Sequence, residues 1–348
     1  MPNAQQNNAP QNNAQQNNAP QKNPESRIQL KLPATSANLG PAFDAAALAL
    51  DLYLHVQAEP AERFSIQAQG RDTHVCERLK NNLMIDTYRE VMRAQSREPA
   101  PLRLVINNEM PIGKGFGSSA AARLAGIALA VHFGQLPWSD SQIIVEASQR
   151  EGHPDNASSC WLGGLVIALL DSARTDPSAG ILTAAMNVAV PWPLLLAVPD
   201  VNLSTEHARK ALPSEYSRAD VVASVQSAML LLAAFVQGRS DLLAAALNDR
   251  IHEPYRAGLC PLLPALKELS GTEGVVGVAL SGAGPSVLVF LDPEVPREKI
   301  RARIASHLEK KALTPELLST SVAMHGGRES LHHQPASHRL VSQPALQT

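Results

Sequence analysis

The most informative segment of this chain reads MPIGKGFGSSAAA and covers residues 110–122. Gly113, Gly115 and Gly117 alternate with other residues, and two serines then lead into a run of alanines. Glycine permits positive φ and a close backbone approach to a ligand. Backbone N–H groups in such a loop, followed by a helix N-terminus, attract an anion. The pattern of this glycine loop (residues 113–119) predicts phosphate binding, with an ordinary turn before a helix as the alternative.

The glycine loop differs from other well-known motifs of similar composition. A Walker A loop needs Gly-Lys followed by Ser or Thr, whereas Gly113-Lys114 is followed here by Gly115. The spacing also differs from G-x-G-x-x-G and from the G-x-S-x-G nucleophile elbow. The segment therefore has its own pattern, P-x-G-x-G-x-G-S-S-A-A.

Composition limits the classes of function. Of the 348 residues, 45% are hydrophobic, which can fill the cores of two domains. The formal net charge of −2 gives no reason to expect nucleic acid or an anionic membrane as a partner. The three cysteines lack a metal-binding spacing and indicate reduced thiols in a cytoplasmic protein. No apolar run approaches the ~20 residues that cross a bilayer, and the longest, residues 228–236, is predicted to be a buried helix.

The chain divides into two domains between two tails. Residues 1–26 are rich in Asn and Gln and are predicted to be disordered, and residues 324–348 are predicted to be a flexible tail. A polar gap near residue 180 separates a first domain (27–185), which carries the glycine loop, from a second domain (186–323). Strand and helix patterns mix in both halves, which favours an α+β fold.

Two polar loops of the first half offer candidate site residues. Asn38 and Asp44 lie in PATSANLGPAFD, where local capping is the alternative role. The loop GHPDN contains His153, Asp155 and Asn156. A His-Asp pair two residues apart on a Pro-containing loop is a poor hydrolase geometry, so substrate orientation is the better interpretation.

Three further side chains could serve phosphoryl transfer, which needs a phosphate cradle, a divalent metal and a clamp for the acceptor hydroxyl. Glu146 lies in the apolar run IIVEAS and offers a hard oxygen ligand, or it is an exposed helix residue. Arg209 and Arg256 could bind a carboxylate in a bidentate manner, although each alone also fits a solvated surface residue. A second small-residue loop, SGAGPS, allows close backbone approach to a ligand or to the first domain.

Three separated blocks, PATSANLGPAFD, PIGKGFGSSAAA and GVALSGAGPSV, resemble the three motifs of the GHMP kinases, small-molecule kinases named for galactokinase, homoserine kinase, mevalonate kinase and phosphomevalonate kinase. The segments EGHPDN, LSTEHARKALP and HEPYR are most similar to the homoserine kinase branch, and the resemblance covers roughly residues 28–322. It implies an N-terminal α+β domain with a left-handed β-α-β unit, a C-terminal ferredoxin-like α+β domain, and an active site in the cleft between them. It also implies ATP and L-homoserine as substrates, Mg²⁺ as a cofactor, and ADP and O-phospho-L-homoserine, an intermediate of threonine biosynthesis, as products.

The resemblance further implies roles for single residues. ATP would be bound by Pro111, Ile112, Gly113, Lys114, Gly115, Phe116, Gly117, Ser118, Ser119, Ala120 and Ala121, and Mg²⁺ by Ser119 and Glu146. The substrate would contact Asn38, Asp44, His153, Asp155, Asn156, Thr205, Arg209 and Arg256. Asp44 and Asp155 are the predicted catalytic carboxylates, but no dedicated base is assigned, and Asp44 is the nearest candidate.

The same resemblance leaves alternatives open. It is compatible with a homodimer, which no segment of the sequence establishes. Because the phosphate loop is common to these kinases, a mevalonate-like or sugar acceptor is the first alternative. A catalytically inactive ligand-binding protein on the same fold is the second.

Overall fold

The computed structural model describes residues 27–170, 180–190 and 192–332. Its strands are β1 (Ile28–Asn38), β2 (Ala42–Pro60), β3 (Ser65–Gly70), β4 (Leu102–Asn108), β5 (Leu165–Leu170), β6 (Ile181–Met186), β7 (Leu194–Val198), β8 (Val275–Leu280), β9 (Val287–Leu291) and β10 (Glu316–Thr320). Its helices are α1 (Thr73–Cys76), α2 (Leu83–Ala94), α3 (Ser118–Gly134), α4 (Asp140–Glu151), α5 (Asp155–Leu162), α6 (Thr205–Lys210), α7 (Arg218–Gln237), α8 (Ser240–Ala246), α9 (Glu253–Arg256), α10 (Leu262–Lys267), α11 (Arg297–Glu309) and α12 (Arg328–His332). The predicted tail at 1–26 and residues 333–348 lie outside the described residues.

The first domain is a mixed sheet covered by helices. Its strand order is β3-β4-β2-β5-β6, and β1 pairs with β2. Strands β3 and β4 are parallel and are joined through α1 and α2, which makes the β-α-β unit. Helix α3 is apolar almost all round, because it lies between α2, α4 and the sheet. Its N-terminus carries the glycine loop to the edge of the domain.

The second domain is an antiparallel sheet of order β10-β7-β9-β8 with helices packed on it. Along the chain the order is β7, a helical region, β8, β9, α11 and β10, which is a ferredoxin-like arrangement. Strands β7, β8 and β9 are buried throughout, as their unbroken apolar sequences predict. The predicted two-domain α+β fold is therefore confirmed.

The last described residues return to the first domain. The backbone N–H of Ala323 donates to Ala49 O at 3.0 Å, and that of Gly164 donates to Ala323 O at 2.8 Å. A Cβ on Gly326 would lie 2.2 Å from Trp161 O, so glycine is needed for this close approach. Residues 324–332 are thus packed against the first domain, which differs from the flexible tail predicted over 324–348.

Helix α7 differs from the buried helix predicted for residues 228–236. It is a helix, and Leu231, Ala234 and Phe235 are buried on one face. Its opposite face is open, with Met229 65% exposed and Val236 52% exposed. Among the described residues it is the one helix long and apolar enough to cross a membrane, judged by length and composition alone, a test that core helices of soluble proteins also pass.

Candidate active site

An open cleft lies between the two domains. Both domains line it, and most of the predicted site residues do so. Those of the predicted phosphate region are Gly113, Gly115, Phe116, Gly117, Ser118 and Ser119. Those of the predicted substrate region are Asn38, Asp44, His153, Asp155, Asn156, Thr205, Arg209 and Arg256.

The remaining predicted residues lie outside the lining of this cleft. They are Pro111, Ile112, Lys114, Ala120, Ala121 and Glu146. The ammonium of Lys114 donates to the backbone carbonyls of Pro199 (3.0 Å), Asp200 and Val201 (2.8 Å). Its positive charge therefore joins the glycine loop to the second domain at the three consecutive carbonyls that follow β7.

The glycine loop is held by tight backbone and side-chain contacts from the other two sequence blocks. Gly115 has φ +87°, and a Cβ there would lie 2.2 Å from Ser281 O. Gly117 has φ +64°, and a Cβ there would lie 2.0 Å from Thr35 Oγ1. The hydroxyl of Ser281 also donates to Gly115 O at 2.7 Å. The blocks at residues 33–44 and 281–286 therefore meet on the glycine loop, and both contacts require glycine.

Two side-chain oxygens, Ser119 Oγ and Glu151 Oε1, lie together at the start of α3. The hydroxyl of Ser119 donates to Glu151 Oε1 at 2.6 Å, and Arg123 Nε donates to the same oxygen at 2.5 Å. Glu146 instead accepts from Arg150 Nε at 2.8 Å. Five residues of helix turn a side chain by about 140°, so Glu146 and Glu151 leave α4 on different faces.

This pair gives the cleft a donor set that suits Mg²⁺. A hydroxyl and a carboxylate are the hard oxygen ligands that this ion prefers. Glu151 was missed in the sequence, although it stands directly before GHPDN in the segment EGHPDN. The predicted partner Glu146 is not brought to Ser119.

An acceptor cluster (Asp44, His153 and Asp155) lies beside the glycine loop. One ligand atom from each of the three residues lies within 4.8 Å of the others. His153 Nδ1 is 2.6 Å from Asp155 Oδ1, which also accepts from Asn156 N–H at 2.7 Å. Burial lowers the pKa of His153, but its hydrogen bond to Asp155 and the charges of Asp155 and Asp44 outweigh burial and raise it above the ordinary value. The cluster can therefore receive a cation.

Two arginines of the second domain face this cluster. Arg209 donates from Nη1 and Nη2 to the two carboxylate oxygens of Asp44, at 2.9 and 2.7 Å. Arg256 is 1% exposed and donates from Nε to Ala208 O at 3.1 Å. Both guanidinium carbons lie 5.3–5.4 Å from the centre of the Phe43 ring. Burial, and then the charge of Arg209, lower the pKa of Arg256, so an anion placed between the two arginines would relieve an unfavourable field.

The family of the chain follows from comparisons with known proteins. The family model for the N-terminal domain of GHMP kinases matches residues 82–164, and the model for the C-terminal part of GHMP kinases matches residues 231–310. A homoserine kinase of Solibacter usitatus is 44% identical, over 77% of this chain and 86% of that protein. One of Deinococcus radiodurans is 36% identical, over 77% and 86%. The chain belongs to the GHMP kinases. Within them it belongs to the homoserine kinases.

Solved structures agree on the fold. A homoserine kinase from Cytophaga hutchinsonii superimposes with a TM-score of 0.72 at 22% identity, covering 89% of this chain and 99% of that one. An L. major mevalonate kinase in complex with R-mevalonate gives a TM-score of 0.65 at 15% identity, covering 85% of this chain and 97% of that one. At such identities the likeness concerns the fold alone.

Proposed function

We propose that this protein transfers the γ-phosphoryl group of ATP to the side-chain hydroxyl of L-homoserine, giving ADP and O-phospho-L-homoserine for threonine biosynthesis. The observation that carries the proposal is the arrangement of opposite charges beside the glycine loop. Arg209 and Arg256 suit an α-carboxylate, and the acceptor cluster suits an α-ammonium. An amino acid presents these two charges on one carbon, so its side-chain hydroxyl would extend toward the phosphate loop.

The ion pair between Arg209 and Asp44 supports a zwitterionic substrate. The pair joins the two domains, and about a third of each side chain is exposed (37% and 31%). Ion pairs of this exposure contribute only about 0–1 kcal/mol. A zwitterion could therefore exchange with it at little cost, its carboxylate replacing Asp44 at Arg209 and its ammonium replacing Arg209 at Asp44.

Positioning and electrostatics supply the chemistry of this proposal. Backbone N–H groups of residues 113–119 and the N-terminus of α3 would hold the triphosphate. Ser119 and Glu151 would hold Mg²⁺, which neutralises phosphate charge when it is bound. Asp44 and Asp155 would orient the acceptor hydroxyl. A dedicated base is not needed, because phosphoryl transfer through a loose transition state requires little covalent assistance.

We also propose that the protein is a cytoplasmic homodimer joined through α7. Val222, Val225, Met229, Leu232 and Val236 follow the three-four spacing of a helix-pairing seam, and residues 221–236 carry no charge. In an antiparallel pair centred on Ser227, Arg218 of the partner subunit would meet the C-terminal end of this helix, where a cation is favoured. The three free cysteines support a reducing compartment.

Light scattering after gel filtration tests the dimer. Met229→Glu should give a monomer, because it places a charge in the apolar seam, two residues from its centre. Leu182→Glu, at another exposed apolar side chain, should leave the mass unchanged. A wild-type monomer would refute the pairing.

Release of ADP in the presence of Mg²⁺ tests the reaction. We expect turnover with L-homoserine and none with mevalonate or galactose. Turnover with mevalonate or galactose alone would identify a different GHMP kinase. If no hydroxyl compound supports ADP release, the chain is a binding protein on a kinase fold.

A further inference from the structure

His252 joins the two domains next to the cleft, although its side chain is 0% exposed. It precedes α9 in the second domain. Its Nε2 lies 2.8 Å from Gly40 O in the first domain, and its Nδ1 lies 3.1 Å from Arg256 Nη1. One imidazole therefore contacts both the turn between β1 and β2, which precedes Asp44, and the guanidinium of Arg256.

The two partners of His252 determine where its proton lies. A carbonyl oxygen can only accept a hydrogen bond, and a guanidinium can only donate. His252 must therefore carry its proton on Nε2 and a lone pair on Nδ1, which is the neutral imidazole. Burial also lowers the pKa of His252, which favours the neutral ring.

The ring is held firmly in this orientation. The carboxylate of Asp249 accepts from the backbone N–H groups of Ile251, His252 and Glu253 at 2.9, 2.8 and 2.6 Å. The ring of Phe43 stacks on the imidazole, with centroids 5.1 Å apart and an angle of 29° between the planes. A flipped ring would put carbon atoms at both positions and lose both hydrogen bonds, so these two contacts also fix the orientation.

We propose that His252 is a positioning residue for substrate recognition, which rests on the proposed role of Arg256 in binding the α-carboxylate. Arg256 donates from Nε to Ala208 O and from Nη1 to His252 Nδ1. Within the described contacts Nη2 remains for a substrate anion. The lone pair of His252 fixes the plane of that guanidinium, and its N–H fixes the turn between β1 and β2, which is flanked by Asn38 and Asp44, against the second domain.

Three variants separate the two hydrogen bonds from the shape of the ring. His252→Phe keeps an aromatic ring against Phe43 but loses both bonds. His252→Asn places an amide oxygen near the position of Nδ1 and can still accept from Arg256. His252→Gln places its amide near the position of Nε2 and can still donate to Gly40.

We expect His252→Phe to raise the KM for L-homoserine about 10-fold while the KM for ATP stays within about twofold, since a lost hydrogen bond to a charged group has this order of effect. His252→Asn should recover most of the loss, and His252→Gln should recover less. With 2-amino-1,4-butanediol, which lacks the carboxylate, His252→Phe should change the KM about twofold at most.

A matched control is His307→Phe. His307 also lies 2.8 Å from a backbone carbonyl oxygen, that of Ala265, but it is on α11 outside the cleft lining. Its replacement should leave both KM values unchanged. Equal rises of both KM values in His252→Phe, or identical behaviour of the Phe and Asn variants, would overturn the proposal, because a purely structural role predicts either result.

Failure of the proposed function would be visible in the wild type, as absence of turnover with L-homoserine. The role of His252 would then be decided by ¹⁵N NMR of the wild-type imidazole at neutral pH. A lone pair on Nδ1 and a proton on Nε2 support the positioning role. A protonated Nδ1 overturns it.

Discussion

The two halves of the cleft are built in different ways. The phosphate half, residues 113–119, is made of backbone from one loop, and its shape depends on glycines pressed against other backbone and side-chain atoms. The acceptor half is made of charged side chains from both domains, including the pair of Asp44 and Arg209, which are 165 positions apart in sequence. A backbone cradle fits a phosphate whatever the acceptor is, whereas the charged side chains select the acceptor. In the proposed function the phosphate half therefore defines the class of chemistry, and the acceptor half defines the substrate.

The largest expected effect comes from adding a single methyl group to the phosphate half. Gly117→Ala combines a positive φ with a Cβ 2.0 Å from Thr35 Oγ1. The loop must shift, and we expect kcat/KM to fall about 1000-fold through misplaced phosphate donors. Steady-state ADP release measures this loss. Gly258→Ala, where a Cβ meets nothing within 4 Å, should behave as wild type, and an active Gly117→Ala enzyme would show that the loop is not a tight cradle.

A smaller loss of activity should follow removal of the Glu151 charge, which contacts Ser119 at the start of α3. Glu151→Gln keeps the size of the side chain next to Ser119 but weakens a metal site, so kcat should fall about 100-fold and the Mg²⁺ concentration for half-maximal rate should rise. A Mg²⁺ titration of the rate measures both. Glu146→Gln serves as the control, because Glu146 pairs with Arg150 instead. If Glu146→Gln proves the more damaging change, the assignment of the two carboxylates is reversed.

Substitutions in the acceptor half should change the KM for L-homoserine. Removing a buried, hydrogen-bonded charge from a binding site costs about 2–5 kcal/mol, so Arg256→Ala should raise the KM for L-homoserine at least about 30-fold. The KM for ATP should remain near that of the wild type. Initial rates with each substrate varied in turn give both constants, and the exposed Arg97→Ala is the control. An equal rise in both constants would mean that Arg256 supports the whole cleft rather than the acceptor half.

The smallest effect is a dependence of stability on pH. The pKa of His153 is raised in the folded protein, so its contribution to stability is complete below the ordinary histidine pKa of about 6.5. That contribution is lost as the pH rises from there through the raised pKa. His153→Gln should remove this part of the slope of the unfolding free energy against pH. Urea titrations at several pH values measure that slope. The exposed His74→Gln should keep the slope, and an unchanged slope in His153→Gln would exclude His153 as its source.

Much of the fold follows from the sequence, because its signals are local. Apolar runs at residues 165–170, 275–280 and 287–291 each come shortly after a Gly or Pro, and such runs are typical of buried strands. The structure has β5, β8 and β9 at these positions, and it has α7 where the long apolar pattern predicts a helix. The burial of α7 could not be predicted, since which face a helix presents to a core depends on its neighbours. The structure differs from the predicted flexible tail at residues 324–332 for a similar reason. Their polar composition gives no sign that Ala323, directly before them, pairs with Gly164 through the backbone.

The site was predicted best where one motif holds several functional groups. The glycine loop and GHPDN place their side chains in the cleft through local geometry. The choice between Glu146 and Glu151 depends on the rotation of α4, and the contact of His252 with Gly40 spans 212 positions. Neither the rotation of α4 nor this long-range contact produces a recognisable pattern in the local sequence. The predicted roles of all these residues in binding phosphate, metal and substrate remain predictions.

The return of the chain end to the first domain has a consequence for how this protein is made. Ala323 bridges Ala49 and Gly164 through backbone hydrogen bonds, and Gly327 donates to Cys160 O at 2.9 Å. A ribosome produces the first domain early, yet that domain lacks its final segment until the second domain has been synthesised. The first domain therefore receives these backbone hydrogen bonds only after the second domain has been synthesised.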